Sequence, residues 1–195
     1  MSDETDAIDE IVAVLAAQYR SWPRAGGWAP SNASALLEVA RLDRQLSFAH
    51  TLRDCLAPFP RESADARQIL AYVTLRSLCE GAIQLFITVY YNVYIVDKKP
   101  ITRRNRKTGE AKTVDPEDAH LNELIAFYLR NGDPAFESFL ERVKTRGNAI
   151  HHFRERNIGT QDELKEDIVR LRDFLVSIDR QLPDPPPLPD PDPDW

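Results

Sequence analysis

Apolar residues recur at three- and four-residue intervals along most of the chain, the period of helices with one buried face. Ile8, Ile11, Val12, Leu15 and Tyr19 predict a first helix over 5–20. Pro23, Gly26, Gly27 and Pro30 interrupt it. Ser31 or Asn32 can cap a second helix that runs to Leu56, ahead of Pro58 and Pro60. Ser63 opens the third and longest, carried through Ile69, Val73, Leu78, Ala82, Phe86, Val89 and Tyr90. Its second half is apolar on nearly every side, as a central bundle helix must be. Residues 93–115 depart from the pattern with β-branched residues, Pro100 and a Lys107-Thr108-Gly109-Glu110 turn, which predicts a loop or short hairpin between helices. Asp115-Pro116 and Asp133-Pro134 start helices over 116–130 and 134–153. Thr160 with Glu163 makes a capping box for a last helix through Leu164, Ile168, Leu171, Leu175 and Ile178. The expected fold is all-α, an up-and-down helical bundle with one basic insertion over 93–115. N-terminal helices in 1–62 would pack on a bundle of 63–182, with a separate tail over 183–195.

Composition makes a packed core possible. The chain has 195 residues, 43% of them hydrophobic and 29% charged, which excludes global disorder. The most apolar run, 82–96, is interrupted by Gln84, Thr88 and Asn92 and falls short of the roughly 18 apolar residues a membrane span needs. The acidic N-terminus has no leader pattern, and Cys55 and Cys79 are too few for a disulfide framework. These features lead to an expected cytoplasmic protein with reduced thiols and no membrane partner. No glycine-rich phosphate loop or metal-ligand spacing occurs, so no cofactor is expected.

Charge then changes the picture. The formal net charge is −6, a poor prospect for nucleic acid, but the acids crowd the ends. Asp3, Glu4, Asp6, Asp9 and Glu10 open the chain, and Asp184, Asp190, Asp192 and Asp194 lie in the proline-rich tail. Residues 11–182 hold 22 acids against 25 bases. Six of those bases, Lys98, Lys99, Arg103, Arg104, Arg106 and Lys107, fall within ten residues of the insertion with no acid among them. Several phosphate contacts of that kind give salt-dependent RNA affinity. Tyr90, Tyr91 and Tyr94 just upstream either stack bases or pack in the core.

A second basic stretch is 142–156, where Arg142, Lys144, Arg146, Arg154 and Arg156 face only Glu155. Within it Phe136, Phe139, Leu140, Val143, Gly147 and Ile150 form a buried stripe, flanked by Arg146 on one side and His151 on the other. An arginine for phosphate charge and a histidine that titrates near neutrality are what RNA cleavage needs without a metal. Asn148 and His152 point further outward. About 140° separates Arg146 from His151 on an ideal helix, so one straight helix cannot aim both at one atom. Either the helix ends or distorts near Gly147, or a second subunit completes the site, and the second is the expectation. Glu80 sits among apolar neighbours, where it either orients Arg146 or pairs with Arg76 one turn away.

Arg146-Gly-Asn-Ala-Ile-His151 resembles the Arg, four to six residues, His signature of the HEPN (higher eukaryotes and prokaryotes nucleotide-binding) superfamily, late in a helix before a closing amphipathic helix. The likeness spans 63–182 as a helical order and about seven residues as a motif. It implies a bundle that forms a homodimer, with two motifs around one cleft. It also implies a metal-independent endoribonuclease of a toxin–antitoxin or phage-defence system, with an antitoxin or other defence protein as a possible partner. Arg146 would then stabilise the phosphorane, His151 would move the proton and Asn148 would position the phosphate, with Arg154 among the RNA contacts. His152 also meets the looser spacing; His151 is favoured because His152 points away from the stripe. Gly147 departs from the polar residue that often follows the motif arginine. Other members of the superfamily keep the fold as non-catalytic binding modules, which is the alternative expectation. A helical scaffold presenting the proline tail to a partner is a third. The tail itself, with its four Asp, could occupy the basic cleft when RNA is absent.

Overall fold

The computed structural model describes residues 3–24, 29, 31–151 and 156–184, apart from the side chains of Ser31 and His151. The chain is an all-α bundle with one two-stranded ribbon. Helix α1 covers Asp3–Ser21, α2 Ser31–Val39, α3 Leu42–Thr51, α4 Ala64–Val89 and α5 Tyr91–Ile95. Strands β1 (Thr102–Arg104) and β2 (Ala111–Thr113) follow, then α6 (Leu121–Asn131), α7 (Glu137–Gly147) and α8 (Gln161–Gln181).

Helix α4 is the axis, because its apolar residues point in several directions, leaving mainly the Arg76–Glu80 face polar. Tyr72, Leu75, Leu78, Cys79, Ile83, Phe86 and Ile87 enter the main core with Ile8, Ile11, Leu124, Tyr128, Val143, Ile168, Phe174 and Leu175. Leu85 leaves α4 in another direction, into a smaller cluster with Trp22, Leu37 and Leu42. Its neighbours are α2, α3, α6, α7 and α8. By length and composition Arg61–Val89 would also suffice to cross a membrane. Here half of that apolar stretch is buried in the bundle.

Helices α1 and α8 are held mainly by apolar burial. Ile8 and Ile11 are fully buried, worth roughly 1.5–3 kcal/mol each. The exposed pairs of Arg172 with Asp3 (3.9 Å) and Glu10 (3.7 Å) add at most about 1 kcal/mol apiece. They do alter the balance of charge. The N-terminal acids belong to the folded body, with Asp9 also 2.5 Å from Arg53. Through residue 182 that body holds 27 acids against 25 bases, so local concentration, not net charge, marks any surface for RNA.

Three expected helices differ in outline. The second is two helices, broken at Ala40–Arg41 where Arg41 leaves helical geometry (φ −85°, ψ 55°). The break lets Leu37 and Leu42 meet on Trp22 and Leu85. The expected 116–130 helix is a 3-10 turn, Pro116–Asp118, followed by extended Ala119 and His120 before α6. Among its described residues, the expected 134–153 helix is α-helical over Glu137–Gly147, between 3-10 turns at Pro134–Phe136 and Asn148–His151.

The insertion is a hairpin. Strands β1 and β2 pair antiparallel with Thr102 opposite Thr113, and Gly109 takes the positive φ (72°) that the turn requires. Its root is buried: the Tyr94 hydroxyl donates to the carbonyls of Val114 (2.5 Å) and Ile101 (3.4 Å). The Tyr91 hydroxyl donates to Asp115 at 2.6 Å, and that of Tyr90 to the Gln181 carbonyl. Tyr91 and Tyr94 therefore pin the hairpin base, while Tyr90 ties the end of α4 to the end of α8.

Candidate functional site

The α-helix carrying the motif arginine ends at Gly147 and tightens into a 3-10 turn. A Cβ at Gly147 would lie 3.0 Å from the Arg76 side chain and from the Tyr72 carbonyl. Glycine is needed there so that the end of α7 can lie against α4. The change of helix at Gly147 is the first of the two alternatives open to an Arg146–His151 pair, so the helical angle no longer calls for a second subunit. The backbone of His151 closes that turn. His152 and Arg154, with the His151 side chain, lie outside the described residues.

Arg146 is buried, 5% exposed, between α4 and α8. Its Nη1 donates to the Tyr72 hydroxyl at 2.6 Å and to Asp167 at 3.3 Å, and its Nη2 donates to Glu163 at 2.6 Å. The guanidinium also lies over the Tyr72 ring, 5.1 Å from its centroid. Asp167, 1% exposed, accepts in addition from Arg142 (2.5 and 3.0 Å) and from Tyr72 (2.8 Å). Burial, then the neighbouring Asp167 charge, pushes the Tyr72 hydroxyl pKa up, so it stays protonated and donates. The hydrogen bond from Arg146 holds the Glu163 carboxyl below its usual range. This network joins α4, α7 and α8 and leaves Arg146 enclosed by the fold, not facing solvent as a phosphate ligand would.

Glu80 does not belong to that network. Its cation is Arg76, 3.9 Å away one turn back on α4. Burial raises the Glu80 pKa, against the opposing pull of Arg76 and His120. Among the described residues Arg76 Nε is buried without a hydrogen-bond partner.

These two side chains line a cavity of about 300 Å³ with His120, Asn122, Lys144 and Asn148. Three elements build it: the middle of α4, the first turn of α6 and the end of α7. Extended Ala119 and His120 deliver the imidazole to the rim, and Glu123 holds that turn by accepting from the His120 backbone N–H at 2.8 Å. Lys144 is held by Glu141, on the same helix, at 2.5 Å.

The hairpin reaches the same place. Arg103 donates to the Asp118 carbonyl at 2.5 Å and lies 3.5 Å from Glu123, the residue that holds the His120 turn. Lys98, Lys99, Arg104, Arg106 and Lys107 are exposed. A basic ribbon thus adjoins a cavity that combines an imidazole, a carboxylate with a raised pKa, two cations and two amides.

Of the sequence-derived site residues, the structure brings Glu80 and Asn148 together in this cavity and Arg103 to its edge, while Arg146 lies in the neighbouring ion network. Sequence reasoning passed over His120, counted Lys144 only among the bases of 142–156, and treated Arg76 only as a partner for Glu80. The available signal was the Arg76–Glu80 spacing on one face of α4 and a histidine just before a helix. Cys79 is buried and its thiol pushed up by that burial, which suits a core residue and not a nucleophile. Among the described residues no group of His, Cys, Asp and Glu is arranged to hold a metal ion. The chain matches no known family model, no curated protein and no solved structure.

Proposed function

We propose that the protein is a metal-independent endoribonuclease whose chemistry is carried by the cavity between α4, α6 and α7. The supporting observation is the meeting of Glu80, His120, Arg76, Lys144 and Asn148 around one cavity of about 300 Å³ beside a basic hairpin. A polyanion lying along Arg104, Arg106 and Lys107 passes Arg103 at the cavity edge. RNA supplies its own nucleophile, so the protein has only to move protons and offset charge. The 2′-oxygen attacks the adjacent phosphorus as Glu80 takes the hydroxyl proton. The bond from phosphorus to the 5′-oxygen breaks, and the His120 imidazole gives that oxygen a proton. The products are a 2′,3′-cyclic phosphate and a free 5′-hydroxyl. Arg76 and Lys144 offset charge on the phosphoryl oxygens, and Asn148 positions them. The burial that raises Glu80 makes its carboxylate a better proton acceptor than an exposed one. A place as the toxic component of a defence system, held in check by a partner protein, fits the same activity.

One observation favours a second reading. With Arg146 enclosed by Tyr72, Glu163 and Asp167, the chain would instead be a non-catalytic module that binds RNA through the hairpin. The experiment is cleavage of total RNA with chelator present by the wild type, Glu80→Gln, His120→Ala, Arg146→Ala and His151→Ala. Loss of cyclic-phosphate product in the first two variants, with RNA binding retained, supports the endoribonuclease. RNA binding without cleavage in every protein, the wild type included, selects the binding module. Cleavage that survives both cavity substitutions and disappears in His151→Ala returns the chemistry to the motif turn.

A further inference from the structure

An aromatic groove of about 370 Å³ opens at the hairpin end of the bundle, walled by Phe86, Tyr90, Tyr94 and Phe127, with Val93 at its lip and Gln181 at its side. Helix α5 leaves apolar surface around it: Val93, Ile95 and Val96 are 62%, 40% and 77% exposed. The border is cationic. Arg130 lies over the Phe127 ring, 5.5 Å from its centroid, and donates to the Lys99 carbonyl at 2.8 Å, which sets Arg130 beside the Lys98–Lys99 corner.

We propose that residues 185–195 of the same chain dock in this groove, the prolines against Tyr90 and Val93 at its mouth and Asp190, Asp192 and Asp194 toward Lys98, Lys99 and Arg130. Reach, composition and charge converge on that occupant. The groove is walled by Gln181, only three residues before Asp184, and eleven further residues extended at about 3.1 Å each reach roughly 34 Å. Their sequence, PPPLPDPDPDW, has six prolines, and proline-rich segments dock in aromatic-lined grooves because their backbone is already extended and loses little freedom. The tail carries acids and no base, opposite in sign to the groove's border. A second copy fits less well: a stable dimer buries about 1,200 Å² or more, and the five-residue α5 offers only a small apolar face. The docked tail would place its carboxylates beside the hairpin, making it a competitor of any polyanion there. The docking does not depend on RNA cleavage.

The test uses the full chain in a Cys55→Ser background, with Val93→Cys paired to Leu188→Cys. Because Val93 is 62% exposed, its substitution leaves the core intact. Under mild oxidation an intramolecular disulfide is expected at least ten times faster than in a control pairing Leu188→Cys with Ala17→Cys, an exposed site beside Leu182 and Asp184 that the tail reaches as easily but that lies outside the groove. Changing Asp190, Asp192 and Asp194 to Asn is expected to cut that advantage several-fold at low salt. Equal rates in the two pairs overturn the proposal. So does a disulfide that forms only between molecules, since a second copy would then fill the groove. An advantage unchanged by the Asn substitutions overturns the charge contacts to Lys98, Lys99 and Arg130.

Discussion

Arg146 and Glu163 are joined by a 2.6 Å hydrogen bond that runs from the last turn of α7 to the first turn of α8. Glu163 also accepts from the Thr160 backbone N–H at 2.8 Å, so one carboxylate both caps α8 and fixes the arginine. Behind it, Asp167 is almost without solvent and takes charge compensation from Arg142 as well as Arg146.

Removing Arg146 should therefore act first on stability. Arg146→Ala leaves Asp167 buried with one cation fewer and Tyr72 without a donor, an expected loss of roughly 2–4 kcal/mol. Urea unfolding measures it directly. Cleavage per folded molecule should be nearly unchanged. An Arg146→Ala protein of full stability and no activity would place the guanidinium on the substrate instead.

Gly159 shares this arginine. Its φ is +75°, and a Cβ there would stand 2.7 Å from Arg146 Cζ. Gly159→Ala combines about 1–2 kcal/mol of backbone strain with about 1–3 kcal/mol of overpacking. In an Arg146→Ala background only the strain remains, so the two changes should cost less together than their sum. A double-mutant cycle with zero coupling would contradict the close approach.

How much was legible in the sequence alone differs between elements. The last helix and its cap were plain in Thr160 and Glu163, because a capping box is a local device written within four residues. The central helix was plain from its apolar run. The break at Ala40–Arg41 was not, since neither residue is a helix breaker and the bend serves packing on Trp22 and Leu85, which no local window contains. Gly147 was conspicuous as a departure from the motif, but its reason is the Arg76 side chain and the Tyr72 carbonyl, far away in sequence. The cavity was hidden for the same cause: Glu80, His120 and Lys144 lie on three elements that only tertiary packing unites.

Glu80 gives a pH signature. Burial raises its pKa above the ordinary glutamate value of 4.5, so between the two values the folded state holds the extra proton. Its contribution is therefore most favourable below the unfolded pKa and is lost as pH rises through the folded one. Glu80→Gln removes the burden of a buried charge. The variant should be more stable than wild type near pH 7, and the difference should disappear below about pH 4. Thermal unfolding across that range checks it; a difference that grows toward acid would mean the carboxylate is held by its partners instead.

The hairpin prediction turns on salt. Arg104, Arg106 and Lys107 are exposed, whereas Arg103 is partly committed to Asp118 and Glu123. For single-stranded RNA, each phosphate left without its cation should lower the slope of log affinity against log salt by about 0.7. Replacing the three exposed bases by Ala should thus flatten the slope by about 2 between roughly 50 and 200 mM salt. Stability should stay within about 0.5 kcal/mol of wild type, because these side chains bury nothing. Arg103→Ala should behave differently: a smaller change in slope, but slower cleavage, since the hairpin is no longer anchored to the turn that carries His120. Fluorescence anisotropy with a labelled single strand separates the two. An unchanged slope in the triple variant would remove the hairpin from the RNA path and leave the cavity to be approached from the α7 side.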